Sequence, residues 1–188
     1  MDRVNIAGLL GIIGVIEFLL AMLVAEALYP GYSVSMNYIS DLGVGRTAII
    51  FNSSIIVMGL LLIIASALYP QLSKALATTI ALTGIGAVGV GIFPETVYQI
   101  HVIFALIAFF FASISSYPAA RISRGPGRVL WPVLGTMGLI ALALLITGTI
   151  TGTYLGLGPG GMERMIVYPN LLWALGFGTE LMNPQKKT

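Results

Sequence analysis

Six apolar stretches fill most of this chain, at residues 4–29, 47–69, 75–93, 99–120, 129–151 and 162–182. Each is close to the length, about 20 residues, that a helix needs to cross a bilayer. The expected fold is therefore all-α: a polytopic membrane protein, a six-transmembrane-helix bundle forming a single domain over residues 1–188. Composition closes off the soluble alternative. The chain is 57% hydrophobic and only 9% charged, with mean hydropathy +0.98, whereas a soluble domain carries about a quarter charged residues. A soluble enzyme, a disordered tail and a disulfide-stapled secreted module are all excluded. The absence of Cys removes thiolate nucleophiles, thiolate metal sites and redox switching, and a net charge of +2 gives no footprint for nucleic acid.

The stretches are punctuated by Pro30, Pro70, Pro94 and Pro118, each placed where a span is expected to stop because proline lacks the N–H that a continuing helix needs. Three of these stops read Tyr-Pro, and a tyrosine suits the boundary between hydrocarbon and headgroups. The first apolar run is far longer than the hydrophobic region of a signal peptide and lacks a small-residue cleavage site, so it reads as a retained span. With six spans, one side collects Arg3, Lys74, Arg121, Arg124, Arg128, Lys186 and Lys187, and the other only Arg46 and Arg164. The positive-inside rule then places both termini in the cytoplasm of a multi-pass cell-membrane protein.

The acids distribute the other way. Glu26, Asp41, Glu95 and Glu163 fall at outer span ends or in outer loops with Arg46, Arg164 and the sole histidine, His101, while Asp2 and Glu180 belong to the inner side. The first outer loop is the longest connection, and residues 33–42 mix small polar with apolar side chains in a way that suggests a short interfacial or re-entrant helix. Asn52-Ser53-Ser54 follows at upper membrane depth, where such groups must find partners inside the bundle. The last outer connection, residues 152–161, holds five glycines and a proline just before Met162-Glu163-Arg164. Its backbone N–H groups could receive an anion at a helix N-terminus, with Arg164 adding a charge, although the same glycines also make an ordinary turn. Taken singly, Asp41, Glu95 and Glu163 also read as helix caps or solvated carboxylates, Glu163-Arg164 as a local ion pair, and His101 as a satisfied interfacial histidine.

Glu17 stands apart. It lies nine residues from Glu26 and so on roughly the opposite helix face, near the bilayer centre, where a carboxylate is costly unless protonated or paired. It is a proton or ion candidate, or simply a protonated side chain bonded to a neighbouring helix. No spacing resembles a metal-ligand motif, and no cofactor is implied. Gly84, Gly86, Gly89, Gly91, Gly135, Gly138, Gly176 and Gly178 predict close helix contacts, and Pro169-Asn170 predicts a kink in the last span. Ala27-Leu28-Tyr29-Pro30 recurs as Ala67-Leu68-Tyr69-Pro70, which reads as reuse of a stop signal.

In the run Asn37-Tyr38-Ile39-Ser40-Asp41-Leu42-Gly43, then Phe51-Asn52, then Gly91-Ile92-Phe93-Pro94-Glu95 with His101, and last Gly161-Met162-Glu163-Arg164, the sequence resembles a family of six-span prokaryotic membrane proteins, common in archaea and catalogued as domain of unknown function 998. The resemblance covers nearly the whole chain. Tyr38-Ile39-Ser40-Asp41 is also loosely similar to the Frag1/DRAM/Sfk1 group, which implies lipid-related roles. Neither likeness implies a settled catalytic mechanism.

Together these residues suggest an outward-facing polar pocket that recognises a lipid headgroup or other amphiphile. In an enzymatic version, a hydrolase or transferase, Asp41, His101 and Glu95 supply acid–base chemistry, while Glu26, Arg46, Asn52, Glu163 and Arg164 bind substrate, the arginines holding an anionic group. A non-catalytic lipid-binding or membrane-organising protein is the second reading, and a small proton-coupled transporter using Glu17 is the third. Membrane lipids are the expected partners, with self-association left open.

Overall fold

The computed structural model describes residues 2–69 and 73–182, so the expectations placed on Pro70, Lys186 and Lys187 lie outside the described residues. Six α-helices account for most of it: α1 (Arg3–Leu28), α2 (Ala48–Ser66), α3 (Lys74–Ile92), α4 (Tyr98–Ile122), α5 (Gly127–Thr151) and α6 (Gly158–Met182). Short 3₁₀ turns occupy Ser40–Gly43, Gly45–Thr47 and Glu95–Val97, and no strand occurs among the described residues. Local chemistry sets several boundaries. The Asp2 carboxylate accepts the Asn5 N–H at 2.8 Å to start α1, the Ser73 hydroxyl accepts the Leu76 N–H at 3.3 Å to start α3, and Gly152, in the left-handed region at φ 73°, ends α5.

The exposed helix faces are apolar. On α1, Ile16, Leu20, Leu23 and Val24 are exposed while Val15, Phe18 and Met22 are buried. Apolar side chains all round a helix suit hydrocarbon on one side and protein on the other. Helices α1 to α5 are long and apolar enough to cross a membrane, which makes this an integral membrane protein. The expected sixth span corresponds to α6. That helix begins four residues before residue 162 and is not among those long and apolar enough to cross, since it carries Glu163, Arg164, Asn170 and Glu180. Packing explains how it tolerates them: Glu163, Arg164 and Asn170 are buried against neighbouring elements rather than turned outward.

Each helix packs against its neighbours in sequence, and α6 returns to α1, closing a ring that α4 and α6 bridge across. Where backbones meet, side chains vanish. A Cβ at Gly59 would sit 2.7 Å from the Gly84 carbonyl oxygen, and a Cβ at Gly84 would sit 2.6 Å from that of Gly59. Gly89 lies under the Phe104 ring, Gly176 under Trp131, and Gly138 beside the Ser113 hydroxyl. These glycines carry the packing in a setting where van der Waals contact holds helices together.

One expectation about breaks is corrected. Pro118 does not end a span; it lies inside α4, which continues to Ile122. Proline deletes one backbone bond, and here the surrounding turn supplies others: the Ser113, Ser115 and Ser116 hydroxyls donate to the carbonyls of Phe109, Phe111 and Ser113. Pro169 likewise sits within α6. Its neighbour Asn170 donates to the Ser113 hydroxyl (2.9 Å) and the Ile166 carbonyl (3.0 Å), and accepts from the Trp173 indole (3.1 Å), which ties α6 to α4 at a buried level. The short interfacial or re-entrant helix expected over residues 33–42 takes the form of turns and a 3₁₀ segment: some backbone bonds stay within the loop, such as Asn37 N–H to the Ser33 carbonyl (2.8 Å), while the Ser35 carbonyl is taken by α6.

The glycine contacts generate a direct test. Gly84→Leu is expected to lower the stability of the purified protein by at least about 1–3 kcal/mol in thermal unfolding in detergent. Gly11→Ala, where nothing lies within 4 Å of the new Cβ, should leave the unfolding temperature unchanged or raise it slightly.

Candidate functional site

The end of the bundle that carries residues 30–47, 93–97 and 152–157 is organised around Arg164. This side chain leaves α6 two turns after a glycine-rich start, and the glycines are what bring the first loop within its reach: a Cβ at Gly160 would collide with the Asn37 carbonyl and lie 2.7 Å from that of Val34. Arg164 is 4% exposed. Its Nη1 donates to the carbonyls of Val34 (3.0 Å), Asn37 (3.3 Å) and Gly160 (2.9 Å). Its Nη2 donates to Glu26 Oε1 (2.5 Å) and the Tyr32 hydroxyl (2.6 Å), with the guanidinium carbon 5.5 Å from the centre of the Tyr32 ring. Only Nε, also buried, lacks an acceptor.

Glu163, the preceding residue, is 5% exposed and accepts the Ile39 N–H. Two adjacent side chains of α6 thus grip the loop at Val34, Asn37 and Ile39. A third grip is made by backbone: the Gly160 and Gly161 N–H groups both donate to the Ser35 carbonyl (2.9 and 3.3 Å), and the Ser35 hydroxyl donates to the Leu157 carbonyl (2.9 Å). The N-terminus of α6 was expected to offer these N–H groups to an anion. A carbonyl of the same chain takes them, because the loop lies directly over the glycines.

From this clamp a chain of polar contacts runs across the loop. Tyr32 donates to the Tyr38 carbonyl (3.0 Å) while receiving Arg164, and the Tyr38 and Tyr154 hydroxyls are 3.3 Å apart. The Asn37 amide accepts the Ser33 N–H (3.0 Å) and donates to Asp41 Oδ2 (2.8 Å). Asp41 faces the Glu95 carboxyl, which accepts the Ser40 hydroxyl at 2.5 Å. Asn52 donates to the Gly43 carbonyl (3.0 Å), fixing the turn into α2. Burial pushes the Tyr32 phenol up to about 12 even though Arg164 pulls it down, and burial together with Tyr154 pushes Tyr38 further up. Both phenols are therefore neutral donors at any physiological pH.

The structure gathers Glu26, Asp41, Asn52, Glu95, Glu163 and Arg164 into or against this network. It does not gather the rest. Arg46 is exposed and forms no ion pair among the described residues. His101, 4% exposed, bonds through Nδ1 to the Phe93 carbonyl (2.8 Å). A carbonyl only accepts, so Nδ1 carries the proton, and the ring ties the end of α3 to α4. Glu17 receives the Ser54 hydroxyl of α2 (2.9 Å), whereas Glu26 faces α6, which is the opposite-face arrangement that their spacing implies. Among the described residues no three His, Asp or Glu side chains are grouped as a metal site would require.

Sequence reasoning did not single out Tyr32, Ser35, Asn37, Tyr38, Ser40 or Tyr154 as members of the network. A signal existed for one: Asn37 and Asp41 stand four apart in the run that carried the resemblance. The tyrosines were hidden by their own good fit to a headgroup boundary. Beside the network, Ser35 and Met36 face Gly152, Thr153, Tyr154, Gly156, Gly158 and Pro159 across an open cleft of about 530 Å³ whose lining contains no charged side chain.

A profile of the family described as "Protein of unknown function (DUF998)" matches residues 12–180, and the chain belongs to that family. No curated protein and no solved structure matches it.

Removing one partner of a buried pair strands the other. Arg164→Met is expected to lower stability by about 3–5 kcal/mol in thermal or denaturant unfolding. The double variant Glu26→Gln, Arg164→Met should recover part of that loss; a double variant no better than the single one would mean that the carbonyl contacts, not the pair, dominate.

Proposed function

We propose that this DUF998 protein is a multi-pass protein of the cell membrane with both termini in the cytoplasm, and that its outward end is a rigid cap binding a lipid headgroup or similar amphiphile without modifying it. The observation that carries this reading is the commitment of both terminal nitrogens of Arg164. Five protein acceptors occupy its two terminal nitrogens, so the cation best placed to hold a phosphate is already committed to holding the loop. The acids and amides of the constellation serve the same purpose. What stays open to a ligand is the cleft between the loop and the glycine-rich connection, with the Ser35 and Thr153 side chains, the Tyr154 ring and exposed backbone for contacts.

The cleft's lack of charge favours a neutral or zwitterionic headgroup. Around it, Met36 (65% exposed), Leu155 (68%) and Leu157 (43%) present apolar side chains suited to the upper hydrocarbon, which would admit an amphiphile from the side. Leu155 holds a positive φ of 51°, and Gly156 and Gly158 flank it at 81° and 73°. Orientation is supported by charge: Arg3, Lys74, Arg121, Arg124 and Arg128 all lie at the other end of the bundle.

One observation favours the enzymatic reading. The Ser40 hydroxyl rests on Glu95, and Asp41 faces the same carboxyl, so a hydroxyl and a proton acceptor already stand in contact. In that version the carboxyl pair takes the place of His101 as the base, since it is Glu95 that the Ser40 hydroxyl touches, while the histidine's hydrogen bond is to Phe93.

Binding of spin-labelled phosphatidylethanolamine and phosphatidylcholine to the protein in liposomes separates the two. Thr153→Trp, which fills the cleft, is expected to weaken binding about tenfold with no change in unfolding temperature, while Glu95→Gln leaves binding intact. Unchanged affinity in Thr153→Trp would remove the cleft from the function. Conversion of lipid by the wild type that disappears in Glu95→Gln would establish the enzymatic reading instead.

A further inference from the structure

The opposite end of the bundle carries a feature that the cap does not use. Helix α4 ends at Ile122 and α5 begins at Gly127, and residues 121–128 expose Arg121, Arg124 and Arg128 on one short connection. The connection is tightly made. Gly125 takes a φ of 63°, and the Glu180 carboxylate of α6 accepts both the Arg124 backbone N–H (2.5 Å) and the Trp131 indole N–H (3.2 Å). The indole also donates to the Ser123 hydroxyl (2.9 Å). Glu180 therefore spends its charge on neutral donors. The one ion pair among the described residues is that of Arg164 with Glu26, which leaves the three guanidinium groups without a carboxylate.

Directly beneath them the surface turns apolar. Val129, Leu130 and Val133 of α5 are 66%, 49% and 50% exposed. The seam between α4 and α5 is stitched one turn below Arg121 by the Tyr117 hydroxyl on Thr136, 2.8 Å apart, at an exposed position. Fixed cations at the end of a lipid-facing apolar strip match a molecule with a phosphate head and an acyl tail. We infer that the α4–α5 connection is a docking surface for an anionic phospholipid, whose phosphate the arginines hold while its chains lie along the α4–α5 seam. Arginine presents several donors to a phosphate at once, which suits this contact. The inference does not depend on the cap at the other end binding anything.

The full chain in mixed micelles with equal phosphatidylglycerol and phosphatidylcholine, analysed by native mass spectrometry, tests it. Preferential retention of phosphatidylglycerol is expected, falling by about fivefold for each of Arg121→Gln, Arg124→Gln and Arg128→Gln and weakening with added salt. The triple lysine variant should keep most of the preference, and Arg3→Gln with Lys74→Gln should keep nearly all of it, because those charges lie off the connection. A folded triple glutamine variant that retains the preference overturns the proposal. So does displacement of the lipid by inorganic phosphate alone, which would make the surface a site for free anions. If the triple glutamine variant does not fold, the single and lysine variants decide: wild-type retention in all three single variants also overturns it.

Discussion

A buried guanidinium is the constraint on which the loop end of this protein depends. Withdrawing Arg164 from water and from lipid headgroups is costly, and a single carboxylate does not offset the cost unless the remaining donors are also met. Glu26 supplies the charge, and three backbone carbonyls and a phenol take the other terminal N–H groups, leaving only Nε unmet. Two of those carbonyls, Val34 and Asn37, come from a loop with no α-helix of its own to satisfy them. The ion and the loop therefore solve each other's problem, and neither has a stable arrangement without the other. Because Glu26 is on α1 and Arg164 on α6, the same contact fastens the two ends of the helical ring.

The rest of the bundle obeys a different rule. Between α2 and α3 the partners are glycines, and the contact is backbone against backbone. Polar side chains inside the bundle bond from helix to helix: Asn170 of α6 to Ser113 of α4, and one oxygen of Glu17 of α1 to Ser54 of α2, its other oxygen being buried without a partner. A protein with apolar surroundings gains little from burying more apolar surface, so shape and a few hydrogen bonds decide which helices touch. Charge is moved to the two ends, where it does separate work: inward-facing bonds at the loop end, unpaired arginines at the other.

Helix number, order and most boundaries were legible in the sequence, because hydropathy reports the surroundings that a membrane helix needs. Pro118 was read from what proline forbids, but three serines nearby supply other bonds to the same stretch of helix. The sixth apolar stretch was legible as a helix, while its tolerance for Glu163 and Arg164 depends on neighbours that only the assembled ring provides. The site was half legible. Counting charges by side located Glu26, Asp41, Glu95, Glu163 and Arg164 at one end, as the structure does, yet charge alone could not tell a guanidinium free for a ligand from one already saturated. That distinction lies in where the Val34, Asn37 and Gly160 carbonyls point, and the sequence marks it only through the missing side chain at Gly160.

The Ser35 carbonyl accepts the N–H groups of Gly160 and Gly161, joining the earliest loop of the chain to the start of its final helix. During synthesis the first helices enter the membrane while that final helix has yet to be made. Until it arrives, the Val34, Ser35 and Asn37 carbonyls lack the donors that α6 brings, and Glu26 has no counter-ion. The last helix is thus the closing member of an assembly that cannot mature in sequence order, and a ribosome halted before it would leave α1 in place but its loop unformed. Such non-local closure is slow relative to neighbour-to-neighbour packing.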